Sequence, residues 1–110
     1  VTKLGAGVAI KIMDTASISN YRLVRHMREV AHAAGIDYQL EILPRGGTDA
    51  GAVQRTRGGV AAITMSIPTR YVHTVNEMCS RSDIQAAIDL LAEYLRHAHE
   101  GVYGYDASQA

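Results

Sequence analysis

The sequence predicts an α/β fold in which strands and helices alternate along the chain. Three short apolar runs typical of strands are each followed by a segment with helical spacing or helix-start signals. This order favours βαβ units, a mostly parallel sheet and helices on both faces of that sheet. Because 47% of the 110 residues are hydrophobic, the chain can bury a core of the size that one domain needs.

The first unit begins with a strand at residues 8–13 (VAIKIM), which follows a glycine-containing turn at residues 5–7. Asn20 is a suitable N-cap for the helix that follows, and Gly35 is a suitable C-terminal stop. Apolar residues recur between them at helical spacing, which predicts a buried stripe of Leu23, Met27, Val30, Ala31 and Ala34.

The second unit has an alternating strand at residues 38–43 (YQLEIL), then a short helix from Asp49 to about Arg57 that Thr48 caps. The third strand, residues 60–67 (VAAITMSI), is the most apolar of the three. Such a run is typical of a central strand that is covered on both faces.

The last helix has capping-box spacing at Ser82 and Gln85. Its buried stripe is predicted to consist of Ile84, Ala87, Ile88, Leu91 and Leu95. Residues 1–100 are expected to form one segment of an α/β domain. Residues 101–110 are expected to be a frayed tail, because they are rich in turn-forming residues.

Charge and cysteine content disfavour several classes of protein. Lys plus Arg equals Asp plus Glu at 11 each, so the formal net charge is zero. Nucleic-acid-binding proteins and electrostatically held membrane proteins usually carry basic patches instead. No apolar run is long enough to span a bilayer. Cys79 is the only cysteine, so no internal disulfide can form, which fits a cytoplasmic location.

Polar residues gather in the loops that follow the predicted strands. Parallel strands end at one edge of their sheet, which is where ligands bind in such folds. These ends lead into Asp14, residues 45–49 (RGGTD) and residues 69–76. On spacing alone, the simpler interpretation of RGGTDAGA is a capped helix after a glycine turn, and that of Asp14 is a turn residue.

His73 is the histidine best placed to serve a site, because it lies in the loop after the third strand. A single loop histidine is more often structural than a metal ligand, and no HExxH or paired-histidine spacing is present. Glu77, four residues on, is either a supporting partner or simply faces solvent. The histidines that are most simply surface residues of helices are His26, His32, His97 and His99.

Taken together, the motifs resemble a known family. The string GGTDAGAVQRTRGGVAAITMSIPTRYVH (residues 46–73) is similar to the C-terminal catalytic region of the M42 metallo-aminopeptidases, and the likeness extends over nearly the whole chain. The resemblance implies a zinc-peptidase-like catalytic domain that removes N-terminal residues from peptides. It also implies two bridged divalent metal ions, zinc or cobalt, and a homo-oligomer that reaches a dodecamer in some members.

The resemblance also implies roles for particular residues. His73 matches the family's final metal ligand, in the RYxH stretch. Three residues match a loop beside the active site and are candidates for lining it or supporting it: Gly47, Thr48 and Asp49. Arg70 is expected to position the His73 loop. The remaining metal ligands and the general-base Glu are expected upstream of the first residue, so this segment alone is predicted to be inactive.

Three features bear on how far the resemblance extends. Thr74 and Ala61 stand where the family often has Ser and Pro. The chain opens on Val1 within a structured stretch, so we expect a fragment of a longer enzyme.

An alternative from another class is a stand-alone, non-catalytic α/β module that self-associates or binds a partner, helped by Leu90 on the polar side of its helix. A glycosidase is disfavoured, since no flanking pair of carboxylates is evident.

Overall fold

Strands and helices alternate through most of the chain, which confirms the prediction of an α/β protein. A computed structural model describes residues 2–103, and the rest of the predicted tail, residues 104–110, lies outside the described residues. The elements in chain order are β1 (Val8–Met13), α1 (Tyr21–Ala34), β2 (Tyr38–Ile42), α2 (Asp49–Gln54), β3 (Met65–Ser66), β4 (Thr69–Arg70), β5 (Met78–Cys79), α3 (Arg81–His97) and a 3₁₀ turn (Ala98–Glu100).

The main sheet has three strands in the order β2-β1-β3, with β1 at its centre. Strand β1 runs parallel to β2 and antiparallel to β3, so that Ile10 stands between Leu40 on one side and Met65 on the other. The sheet is therefore mixed, and the prediction of a mostly parallel sheet is not confirmed.

The third predicted strand, residues 60–67, shrinks to β3 and lies at an edge of this sheet rather than at its centre. The backbone before β3 bonds to separate elements. The Ala62 carbonyl accepts a hydrogen bond from the Asn20 N–H at 3.2 Å, and the Thr64 carbonyl accepts one from the Lys11 N–H at 3.0 Å. Because these two carbonyls accept hydrogen bonds from different parts of the chain, the segment forms no regular ladder of strand pairing.

Helix α1 follows its sequence signals closely. The Asn20 side chain accepts hydrogen bonds from the backbone N–H groups of Arg22 and Leu23, and Gly35 ends the helix in the left-handed conformation at a φ of 67°. The predicted stripe is buried except for its last member, Ala34, which is exposed.

Helix α3 differs from its prediction in both start and rotation. It begins at Arg81 with Ser80 as N-cap, so the predicted capping box at Ser82 and Gln85 is wrong. Its buried residues are Asp83, Ala86 and Leu90, whereas three members of the predicted stripe are exposed: Ile88 (55%), Leu91 (48%) and Leu95 (65%).

A buried charge explains this rotation. Asp83 is fully buried, and its two carboxylate oxygens accept hydrogen bonds from the Gly5 N–H at 2.8 Å and the Gly7 N–H at 2.9 Å. A buried carboxylate needs such partners, so the helix turns this face towards the N-terminal turn. Gly7 has a φ of 101°, and a Cβ there would lie 2.2 Å from the Asp37 carbonyl oxygen.

The core lies between β1 and the two long helices. Val8 and Ile10 pack with Met27 of α1 and Leu90 of α3 in one cluster of buried residues. Helices α1 and α3 also contact each other, so both lie on one face of the sheet, and the predicted arrangement with helices on both faces is not confirmed. Lys11, the next residue along β1, faces the opposite side.

The described start of the predicted frayed tail, residues 101–103, packs against the helices. The Tyr103 hydroxyl lies 2.5 Å from His26 Nδ1 and accepts a hydrogen bond from the Tyr94 hydroxyl at 3.0 Å. The Asn20 side chain donates to the Tyr103 carbonyl at 2.9 Å. Within residues 2–103, the helices fall short of the length and apolar character that crossing a membrane requires.

Candidate functional site

Asp14 is a buried carboxylate directly after β1, with 3% of its surface exposed. Its Oδ1 accepts hydrogen bonds from the backbone N–H groups of Ala16 and Ser17, both at 2.8 Å, and its Oδ2 accepts one from the Thr48 hydroxyl at 3.2 Å. The Ala16 bond, followed by the Ser17 and Thr48 bonds, holds the pKa of Asp14 below its usual value although burial acts in the other direction.

Thr48 occupies the N-cap position of α2 as predicted, but its hydroxyl does not cap the helix. The hydroxyl instead lies between Asp14 Oδ2 and the Thr64 hydroxyl, 3.2 Å from each. Thr48 therefore links the loop before α2 to the end of β1 and to the segment before β3.

Gly46 and Gly47, in the loop before α2, allow close packing against the turn after β1. The Gly46 carbonyl accepts hydrogen bonds from both the backbone N–H and the hydroxyl of Thr15, at 3.1 and 2.8 Å. A Cβ on Gly47 would lie 3.1 Å from the Ala16 Cβ. Asp49 is exposed in the first turn of α2. In the part of the chain that the structure describes, its carboxylate makes no hydrogen bond or ion pair.

Replacing Asp14 by asparagine is expected to flatten the pH dependence of stability in acid. The folded pKa of Asp14 is lowered from 3.8, so its stabilising contribution is present above that value and is lost as the pH falls through the folded pKa. Urea midpoints measured from pH 6 to pH 2 should fall more steeply for the wild type than for Asp14→Asn. Parallel curves for the two proteins would contradict this expectation.

His73 lies in a hairpin between β4 and β5, which pair in antiparallel fashion. The Tyr71 carbonyl accepts a hydrogen bond from the Thr74 N–H at 3.2 Å, so Val72 and His73 are the two central residues of a turn. His73 has a φ of 63°, a conformation for which glycine is the usual choice at this turn position. An L-residue there costs roughly 1 kcal/mol. Such strain is common at functional sites.

The turn places the His73 side chain in the open. The imidazole is exposed and makes no hydrogen bond or ion pair with any residue between 2 and 103. The backbone N–H of His73 donates to Glu77 Oε1 at 2.6 Å. Glu77 is exposed, and its bond is to the His73 backbone rather than to the imidazole, so both interpretations hold in part. The four-residue spacing was the only sequence signal for the contact.

Arg70 is exposed on β4, at the rim of a cavity of about 440 Å³ that Lys3 also lines. Its guanidinium makes no hydrogen bond to the His73 turn in the described chain, so its positioning role stays a prediction. Cys79 is exposed as well.

The candidate residues fall into two groups. Thr48 contacts Asp14 and is flanked in sequence by Gly47 and Asp49, while Arg70 and His73 belong to the hairpin. Across residues 2–103, no hydrogen bond or ion pair joins the groups, and no cluster of three or more His, Cys, Asp or Glu could hold a metal ion. The exposed imidazole of His73 suits one ligand position, but the residues described here do not complete a metal centre.

Comparison with known proteins gives a consistent result. The family model described as M42 glutamyl aminopeptidase matches residues 1–90. The lysyl aminopeptidase of Pyrococcus furiosus is 38% identical over 91 residues, which are 82% of this chain and 25% of that protein. The match spans about a quarter of the length of the curated relatives.

Solved structures give the same picture. The crystal structure of a TET aminopeptidase from a marine sediment archaeon of the Thaumarchaeota has a TM-score of 0.83 and 32% identity, covering 97% of this chain and 28% of that one. The TET1 peptidase of Pyrococcus horikoshii, described as able to assemble into a tetrahedron or a large octahedral shell, has a TM-score of 0.76 and 29% identity. That match covers 84% of this chain and 27% of the peptidase.

Proposed function

Because the chain belongs to the M42 glutamyl aminopeptidase family, we propose that it forms the C-terminal part of the catalytic domain of a metal-dependent aminopeptidase. Its substrates are peptides with a free N-terminus. The chain contributes part of the site only, because the described residues hold one candidate ligand and no cluster that could bind a metal unaided.

The observation that carries this proposal is the placement of His73. Its imidazole is exposed and makes no hydrogen bond or ion pair with the described residues. The His73 backbone has a left-handed conformation that glycine adopts more easily. Imidazole nitrogen is a good ligand for zinc and cobalt, so we assign His73 as one ligand of a two-metal centre. Bound metals of this kind activate a water molecule and polarise the scissile carbonyl.

Exposed apolar side chains support a role as part of a larger domain. Ile88, Leu91 and Leu95 lie at helical spacing on one open face of α3, and Leu40 and Ile42 are 45% and 57% exposed on the edge strand β2. Soluble monomers rarely leave such faces uncovered. In the complete enzyme, other parts of the catalytic domain would cover them.

The alternative of a stand-alone module that self-associates rests on the same open face of α3. Leu90 cannot serve as the contact, because it is fully buried in the core. The exposed face would take its place. The TET1 peptidase of Pyrococcus horikoshii can assemble into a shell, and another TET1 structure is described as a dodecamer, so homo-oligomer formation, up to a dodecamer, is part of the proposal. An exposed free Cys79 fits a cytoplasmic location.

Peptide hydrolysis measured on two proteins tests the proposed function. The isolated 110-residue chain, supplied with zinc or cobalt, should release no N-terminal residue from a leucine peptide. A complete protein that carries this segment, about three times its length in line with the length of its relatives, should do so and should lose the activity to a chelator. Metal-stimulated turnover by the isolated chain would contradict the proposal, as would a native protein of 11.9 kDa.

A further inference from the structure

We propose that Glu77 is a positioning residue that fixes the direction of the His73 imidazole by holding the backbone of its turn. The proposal rests on the proposed function, in which that imidazole binds a metal. Glu77 itself touches neither metal nor substrate. Its part is to keep His73 in a backbone conformation that histidine would otherwise leave.

The hydrogen bond between these residues is short and uses a charged acceptor. Glu77 Oε1 accepts from the His73 backbone N–H at 2.6 Å. Bonds to a carboxylate are shorter and stronger than bonds between neutral groups. The bond is thus able to offset the cost of the left-handed conformation at His73, whose φ is 63°.

The other bonds of the turn act at its ends, and the Glu77 bond adds to them at His73. The Thr74 hydroxyl donates to the Tyr71 carbonyl at 2.6 Å, and the Thr74 N–H donates to the same carbonyl. Those bonds close the turn around its ends. Among the bonds within the described chain, the one to Glu77 is what engages the polar backbone hydrogen of His73 itself.

The position of Glu77 is itself well anchored. It directly precedes β5, in which Met78 pairs with Arg70 of β4. The carboxylate therefore approaches the turn from the paired end of the hairpin. The pairing of β4 with β5 thus fixes where the Glu77 side chain meets the His73 backbone.

Backbone conformation matters for His73 because its ring has no other support within residues 2–103. If φ moved to a negative value, the direction of the Cα–Cβ bond would change and the imidazole would move with it. Metal ligation requires the nitrogen at a set distance and angle, so this movement would weaken binding.

Nuclear magnetic resonance of the 110-residue chain tests the proposal with three variants. Glu77→Ala removes the acceptor, Glu77→Gln keeps a carbonyl oxygen in its place, and Glu29→Ala is the matched control on an exposed face of α1. The readouts are the intraresidue NOE between the His73 amide and α protons, which is strong at positive φ, and the exchange rate of that amide. Co²⁺ affinity is then measured for the same variants in the complete protein that carries this segment, because the direction of one ring matters only where other ligands fix the metal.

In the 110-residue chain we expect Glu77→Ala to lose the strong NOE and to raise amide exchange roughly tenfold, and in the complete protein we expect it to weaken Co²⁺ binding by a similar factor. Glu77→Gln should lie between the wild type and the alanine variant, and Glu29→Ala should match the wild type. An unchanged NOE and exchange rate in Glu77→Ala would overturn the proposal. A lost NOE with unchanged Co²⁺ affinity, in a protein whose Co²⁺ affinity does fall in His73→Ala, would overturn it too.

A further outcome separates this proposal from the proposed function. If Glu77→Ala alters the NOE and exchange while His73→Ala leaves the Co²⁺ affinity of the complete protein unchanged, Glu77 is confirmed as the residue that holds the turn. The assignment of His73 as a metal ligand then fails on its own.

Discussion

Replacing Asp83 by alanine is expected to lower the free energy of unfolding of the chain by roughly 2–4 kcal/mol. The carboxylate is fully buried and accepts hydrogen bonds from the N–H groups of Gly5 and Gly7. Alanine would leave both backbone donors without their acceptor and would open space at the start of α3. The loss should show as a lower urea midpoint when unfolding is followed by circular dichroism.

The control for this substitution lies on the same helix. Asp89 is exposed and accepts one hydrogen bond from the Gln85 side chain, so Asp89→Ala should change stability by no more than about 0.5 kcal/mol. Asp83→Asn should fall between the two, since one oxygen remains while the amide group faces a backbone donor. Equal urea midpoints for the Asp83 and Asp89 alanine variants would show that the buried carboxylate does not hold the N-terminal turn.

Leu90→Ala is expected to destabilise the chain by about 3 kcal/mol, because it removes a fully buried side chain from the core between β1 and the long helices. Leu91→Ala is the matched control, since the same atoms are removed from a side chain that is 48% exposed. Its effect should stay within about 0.5 kcal/mol. The measurement is again the urea midpoint of the isolated chain.

The order of the two leucine effects decides the rotation of α3. A larger loss for Leu91→Ala would mean that the helix buries the stripe predicted from sequence instead. In a complete enzyme the Leu91 face should be covered, so there Leu91→Ala should become clearly destabilising while Leu90→Ala stays so.

Local signals predicted the elements whose ends and faces are set by neighbouring residues. The apolar run at residues 8–13 gave β1 its correct bounds, and Asn20 and Gly35 marked the ends of α1 because capping depends on residues within one turn. The order of strands and helices was enough to predict an α/β protein.

Contacts between distant residues decided the features that the sequence did not predict. The rotation of α3 depends on Gly5 and Gly7, which lie more than 70 residues from Asp83. The apolar run at residues 60–67 was predicted to be the central strand, but β1 occupies the centre of the sheet. Only β3, near the end of that run, pairs with β1. The Thr48 hydroxyl forms hydrogen bonds with Asp14 and Thr64 instead of capping α2.

The sequence predicted part of the candidate site, as it predicted part of the fold. His73 was singled out by its place after a strand and by the family motif, and its strained, exposed turn agrees with that choice. The bond from its backbone to Glu77 could not be predicted, because it depends on the shape of the hairpin. Residues 2–103 contain no cluster of three or more metal-binding side chains, so the other ligands stay a prediction.

The metal content of the complete protein that carries this segment, compared with that of its His73→Ala variant, is the most direct test of His73 as a ligand. We expect about two zinc or cobalt ions per chain in the wild type, and at most one in the variant. We also expect kcat/KM for peptide hydrolysis to fall by about 100-fold or more. His99→Ala, a change at an exposed histidine of the C-terminal turn, should alter neither quantity. Full metal content and unchanged hydrolysis in His73→Ala would contradict the assignment.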